Sequence, residues 1–351
     1  MQSSYLIIKG FLFFVLLSPF ASVAQETQIR GFNDVQFGKI TSDTLKDNNK
    51  SRGFQVGQFD LYITSQITDR VSFLGETVFE WTSDKNEWSL DVERLVIKYS
   101  VKDYFNISSG KFHTPFGYWN NAYHHGAVIQ PTINRPVIVR FEDNGGYLPI
   151  HQVGLQFSGT AIGKKNFSYA LFFSNGQAQG NTGGSKSYST GAVSGSLSLE
   201  PVENLQLFVS AYSNRVPKDS YTYQGIRLKD DSQYTLLNGA ISYFGSSLPI
   251  ELAAEYFNIN NKMISGSYTT NAMYCYLGFP IKHKIIPYVL YNKISFQAGE
   301  EYFMQNNMEE VTVGTRLVIS PKVIWKVEYT SAQSELFKHS SLAQTQIAVG
   351  F

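Results

Sequence analysis

Apolar side chains recur at every second position through most of this chain, and a period of two commits a sequence to strands. From residue 71 the order Val-Ser-Phe-Leu-Gly-Glu-Thr-Val-Phe-Glu-Trp-Thr puts Val71, Phe73, Thr77, Phe79 and Trp81 on one face and Ser72, Glu76, Glu80 and Thr82 on the other. The same alternation sets Val311, Val313, Leu317 and Ile319 against Thr312, Gly314 and Arg316. It also sets Val323, Trp325, Val327 and Tyr329 against Lys326, Glu328 and Thr330. It returns over 167–173, 205–209 and 250–256, and in the closing set Ile347, Val349 and Phe351. Turn-rich stretches such as 46–51 and 176–187 separate the runs, and no helical period lasts beyond a couple of turns.

A coarse tally places strands near 28–37, 53–66, 71–82, 89–101, 104–112, 151–160, 166–175, 188–199, 204–214, 232–244, 249–260, 268–279, 284–296, 309–319, 322–331 and 342–351, about 16 in all. Ahead of them, Lys9, the apolar run Phe11 to Leu17 and the small-x-small site Ser22-Val23-Ala24 read as a signal peptide over 1–24, cleaved after Ala24. Elsewhere no run of about 18 apolar residues offers a spanning helix. The single cysteine, Cys275, excludes an internal disulfide, and it shares a face with Met273 and Leu277, where a lipid-facing apolar role is expected. With 29 Lys and Arg against 28 Asp and Glu, and Lys9 lost with the leader, the mature chain is formally neutral, which argues against nucleic acid as a partner.

Only 16% of the residues are charged, less than the outside of a soluble sandwich usually requires. The polar faces carry Ser, Thr, Gln, Asn and scattered charges, as a wetted lumen would, and aromatics such as Trp81, Tyr99, Tyr288 and Tyr329 are placed to form girdles at two lipid–water interfaces. Exported strands that face lipid must pair all their backbone groups, so they must close. The expected fold class is therefore all-β: a transmembrane antiparallel β-barrel over 25–351, in the outer membrane of a Gram-negative bacterium, with Phe351 ending the last strand as an assembly signal for the barrel-assembly machinery. Pro249 and Pro321 fall at strand starts, and Pro287 is expected to mark a bulge or shifted boundary.

The segment Ser108-Ser109-Gly110-Lys111-Phe112-His113-Thr114-Pro115-Phe116-Gly117 resembles the strand-to-loop passage of the phosphate-selective porin O/P family and related outer-membrane porins. The opening strand Gly31 to Phe37 and the terminal Phe351 are similar in the same way. The resemblance implies a sixteen-stranded barrel, commonly a homotrimer, that passes small solutes. The chain departs from the phosphate-selective members in having no surplus of bases. Lumen-facing Arg94, Lys98, Lys293, Arg316 and Lys326 are matched by Asp60, Glu76, Glu80, Glu251, Glu255 and Glu328, which leaves no specific anion ladder.

The long connector 113–150 carries Trp119, Tyr123, Arg135, Arg140, Glu142 and Asp143. Connectors of more than about 15 residues without regular structure are often functional. Two readings stand. In one the loop folds into the barrel as a constriction, with Arg135 and Arg140 facing Glu142 and Asp143; in the other it packs outside on its own aromatics. Its apolar residues, among them Ile133, Val137, Ile138 and Val139, favour packing against something. His113, His124, His125 and His151 cluster loosely in sequence, but neighbouring histidines usually diverge, so neither a metal nor a cofactor is expected. No Gly-x-Ser-x-Gly elbow is present, and no enzymatic activity is expected. The leading reading is an outer-membrane porin for passive, weakly selective diffusion of small hydrophilic solutes or ions. The alternatives are an anion-selective porin, or a structural or adhesive barrel that displays loops such as 214–231 and 299–307.

Overall fold

A computed structural model describes residues 26–42, 52–82, 87–124, 126–140, 147–176, 191–220, 227–245, 247–300, 302–303, 307–335 and 338–351. The alternating runs become sixteen strands: β1 (Thr27–Ser42), β2 (Arg52–Gln66), β3 (Val71–Thr82), β4 (Glu87–Lys102), β5 (Phe105–His113), β6 (His151–Ile162), β7 (Phe167–Ser174) and β8 (Ala192–Val202). They continue as β9 (Leu205–Val216), β10 (Ser232–Tyr243), β11 (Glu251–Met263), β12 (Gly266–Gly278), β13 (Ile285–Phe296), β14 (Met308–Ser320), β15 (Val323–Ser334) and β16 (Lys338–Gly350). Each pairs antiparallel with its sequence neighbours, and β1 pairs with β16 to close the barrel. No described helix is long and apolar enough to cross a membrane. One rim is made of short turns such as 67–70, 103–104 and 321–322, and the long connectors leave the other.

Alternation decides which side chains meet lipid. On β14 Val313 is 49% exposed while its neighbour Thr312 is 1% exposed, and on β15 Trp325, Val327 and Tyr329 face out while Lys326, Glu328 and Thr330 are buried. Met273 is exposed and Cys275 half-buried on the outward face of β12. Trp81 and Trp88 meet edge to face across β3 and β4 with ring centres 5.5 Å apart, and Tyr99 and Tyr329 lie exposed on the outer wall. Tyr288 departs from the girdle expected of it: it is buried on the inward face and its hydroxyl donates to Glu328 at 2.6 Å. Pro287 causes no bulge, because the pairing of β13 with β14 runs through it without a shift. Its missing N–H falls beside Phe279, just past the end of β12, where the ladder is already ending.

Two glycines are dictated by close approach. Gly31 makes room for Phe351: a Cβ there would lie 2.3 Å from the terminal ring, while the two backbones exchange hydrogen bonds at 2.9 and 3.2 Å. Gly110 holds φ at +145°, and its Cβ would meet the Leu95 carbonyl oxygen at 1.8 Å. Gly110→Ala is expected to cost the barrel about 1–3 kcal/mol. The measurement is the urea midpoint for loss of the heat-modifiable gel band, and a wild-type midpoint would refute this account of the β4–β5 contact.

Candidate functional site

The connector after β5 turns into the barrel, and charged groups on the far wall hold it there. It begins with a short helix, α1 (Tyr118–Tyr123), whose N-cap Gly117 has no side chain to receive the first N–H groups. Glu255 on β11 does so instead, accepting from Tyr118 N at 2.5 Å and Trp119 N at 3.2 Å. The same buried carboxylate accepts from Asn238 Nδ2 at 2.8 Å and Tyr274 Oη at 2.7 Å. A second anchor is Glu328 on β15, which accepts from Ile133 N at 2.5 Å, Asn134 N at 3.4 Å and Gln344 Nε2 at 2.9 Å besides the Tyr288 hydroxyl. Beside it Lys326 donates to the carbonyls of Ala127 and Thr132 at 2.6 and 3.0 Å and to Gln346 Oε1 at 3.1 Å. Arg140 reaches both oxygens of Glu310 on β14, at 2.9 and 2.8 Å. Charge-assisted bonds of this kind are about twice as strong as neutral ones.

Apolar packing completes the docking. Phe116, Trp119, Val137, Ile138 and Leu148 of the connector join Tyr212, Phe257, Tyr274 and Leu290 of the wall in one buried cluster inside the barrel. This corrects the uniformly wetted lumen expected from composition: along β9 to β13 the inward face is aromatic and aliphatic because it covers the connector. It also corrects Lys293. The inward members there are Asn292 and Ile294, so Lys293 faces outward near the loop rim, 3.9 Å from Glu309. Burial pushes the phenols of Tyr118, Tyr123 and Tyr147 above their ordinary range, which keeps them neutral hydroxyls. Of the stretch 299–307, Tyr302 and Phe303 are buried, stacked on Tyr234 and packed on Tyr147, so this part of the loop is not displayed outward as the adhesive alternative requires.

The opposite wall is different. A cavity of about 380 Å³ lies between β1 to β5 and the connector, bordered by Gln28, Arg30, Tyr62, Thr64, Arg94 and His113 and, from the connector, by Asn121, Ala122, His124 and Ile129. A second, of about 390 Å³, continues towards the short-turn rim past Gln66, Ser72 and Lys98. Gln28 and Thr64 border both. Arg94 Nε donates to the buried Glu76, and Gln58 donates to Glu80. Lys98 borders the second cavity, and Arg316 pairs with Glu251 at 2.6 Å on the packed side.

The sequence-derived residues thus separate. Arg140 is engaged by Glu310 and Arg135 donates to the His124 carbonyl; Glu142 and Asp143 lie outside the described residues. The anchoring roles of Glu255, Glu310 and Glu328 had no signal in the sequence beyond an inward phase, because their partners lie more than 130 residues away. The histidines correct the expected divergence: the rings of His113, His124 and His151 meet, with centres 3.9 to 5.1 Å apart, and His125 lies outside the described residues.

A closed sixteen-stranded barrel with a lipid-facing outer wall and a connector packed inside is a porin-like outer-membrane architecture, and it places the protein in the outer membrane of a Gram-negative bacterium. The sequence matches no known family profile and no curated relative. Solved structures share the fold. The chain is similar to the anion-selective porin from Comamonas acidovorans at 12% identity and a TM-score of 0.66, over 93% of this chain and 100% of that one. It is similar to OmpT, an outer-membrane protein of Vibrio cholerae, in a form lacking loop L8, at 12% identity and a TM-score of 0.65 over the same shares. The OmpF of Salmonella typhi, solved with daunomycin, aligns at 12% identity with a TM-score of 0.62, over 93% of this chain and 97% of that one. The porin-like barrel therefore holds, while a specific tie to the phosphate-selective O/P family has no match behind it. The expectation of no enzymatic activity is withdrawn: the likeness to OmpT, at 12% identity, reaches the fold and leaves enzyme status unestablished.

Proposed function

We propose that the protein is a porin through which small hydrophilic solutes and ions diffuse passively along the β1 to β5 wall, with weak selectivity. One observation carries this reading: the connector packs to one side. Its charged anchors stand on β11, β14 and β15, whereas the opposite wall presents Gln28, Arg30, Thr64 and Lys98 to two adjoining cavities. The constriction we assign to the connector's edge on the first cavity, at Asn121, Ala122, His124 and Ile129, rather than to Arg135 and Arg140, whose guanidinium groups are engaged by the His124 carbonyl and by Glu310. Glu76 offsets Arg94, so the mixed signs favour weak discrimination over a phosphate-selective pore. Cleavage of the leader 1–24, engagement of Phe351 by the assembly machinery and association into a homotrimer belong to the same proposal; one of the aligned structures is a trimer form of the Vibrio cholerae protein.

Planar-bilayer recording tests it. Discrete conductance steps are expected, and a silent bilayer from correctly folded protein would favour a display barrel. Arg30 borders the first cavity, and among the described residues its Nη2 donates to nearby Gln28 Oε1 at 3.0 Å. Arg30→Glu should therefore leave the fold intact and move reversal potentials towards cations. The shift should shrink with added salt, as the Debye length falls from about 10 Å at 0.1 M to about 3 Å at 1 M. An unchanged ion preference would remove the β1 wall from the permeation path.

A further inference from the structure

His113 ends β5 and His151 begins β6, and the two are directly paired in register. His124 arrives from the end of α1 and lies over both, with ring centres 3.9 Å from His113 and 4.5 Å from His151. One ligand nitrogen from each ring lies within 4.8 Å of the others. Ligands held at 2.0–2.1 Å around a tetrahedral zinc ion stand about 3.3 Å apart, so modest rotations of the rings close the gap.

The tautomer of His124 is fixed. Asn120 Nδ2 donates to the carbonyls of Thr114 and Phe116 at 3.2 and 3.3 Å, which turns its Oδ1 towards His124 Nδ1 at 2.8 Å. That oxygen can only accept, so Nδ1 carries the proton and Nε2 presents a lone pair. An outer hydrogen bond that orients a ring in this way is typical behind metal-bound histidines.

The surroundings call for positive charge. Glu93 Oε2 stands 2.6 Å from His151 Nε2, and Glu76 Oε2 stands 3.7 Å from His113 Nε2. At 2.6 Å His151 Nε2 either donates its proton to the Glu93 carboxylate or shares a cation with it. Asp60, Glu76 and Glu93 are all buried here, and Arg94 pairs with Glu76 and acts on Asp60. Protons on several rings would set like charges within 4.8 Å of one another, whereas one dication serves all three from a single centre. His113 and His124 border the first cavity, so an ion reaches them from the lumen.

We propose that His113, His124 and His151 bind one first-row transition-metal dication of the zinc type, with Glu93 as the buried carboxylate beside His151. Three imidazoles suit zinc, copper, nickel or cobalt and disfavour calcium or magnesium. The test uses the full refolded barrel stripped with chelator, and it does not depend on conduction, so it can fail while the pore reading stands. Zinc titration calorimetry should give one ion per chain, and cobalt should give the visible absorption of a four-coordinate site. His124→Ala and His151→Ala should each weaken binding by about 100-fold or more, and Asn120→Ala by roughly 10-fold through loss of ring orientation. His283→Ala and His339→Ala should leave it unchanged. Absence of binding, or undiminished binding in the His124→Ala/His151→Ala double variant, would overturn the proposal. Should the alanine variants fail to fold, the wild-type cobalt spectrum decides alone, since a six-coordinate, water-like spectrum is incompatible with the site.

Discussion

Replacing Glu255 by alanine is expected to release the connector and widen the pore. The carboxylate receives Tyr118 N, Trp119 N, Asn238 Nδ2 and Tyr274 Oη, all in a buried setting. Its removal strands four donors, and leaving one side of a buried charged network unmatched costs about 3–5 kcal/mol. The connector can escape part of that cost by undocking, which brings Tyr118 N and Trp119 N to water. Single-channel conductance should rise and become noisier, and proteases should cut within 114–150 in the folded barrel. Glu255→Gln keeps an acceptor oxygen for one or two of the donors and should fall between. Wild-type conductance together with an uncut connector in Glu255→Ala would show that the anchors on β14 and β15 suffice alone.

An arginine at Val313 should oppose insertion outright. Val313 stands mid-strand on the outward face of β14, where a guanidinium near the bilayer midplane costs ~2–4 kcal/mol. Thr64 on β2 faces the lumen and borders both cavities, so Thr64→Arg should be tolerated. The comparison is read from folded fractions in lipid vesicles across a urea series. Equal folded fractions for the two variants would contradict the inward and outward assignment on which the pore reading depends.

Period-two alternation made all sixteen strands legible, since every strand meets lipid on one face and the interior on the other. Alternation identifies two faces without saying what each touches, and polarity misleads where the interior is itself apolar. Tyr288 looked like a girdle residue because an aromatic in a barrel strand is ordinarily turned to the interface; here it is turned inward to cover the connector and to donate to Glu328. Lys293 looked like a lumen base for the converse reason. The site was less legible than the fold because it depends on pairings across the lumen, such as Ile133 with Glu328, that leave no local trace. The same limit hid the histidines. The sequence shows His113 and His151 at the two ends of the connector, and only the register of β5 on β6 sets them side by side.

The seam between β1 and β16 sets an order of events. Its pairings run from Phe32 with Gly350 to Ser42 with Ser340, and Gly31 and Phe351 exchange backbone bonds at its end. These are contacts between opposite ends of the chain, the slowest kind to form. Until they form, β1 and β16 are open edges whose unpaired N–H and C=O groups invite association with other chains. Sealing is thus a single late step in which the wall goes from two sticky edges to none. A barrel short of β16 is correspondingly an aggregation-prone sheet and not a smaller pore.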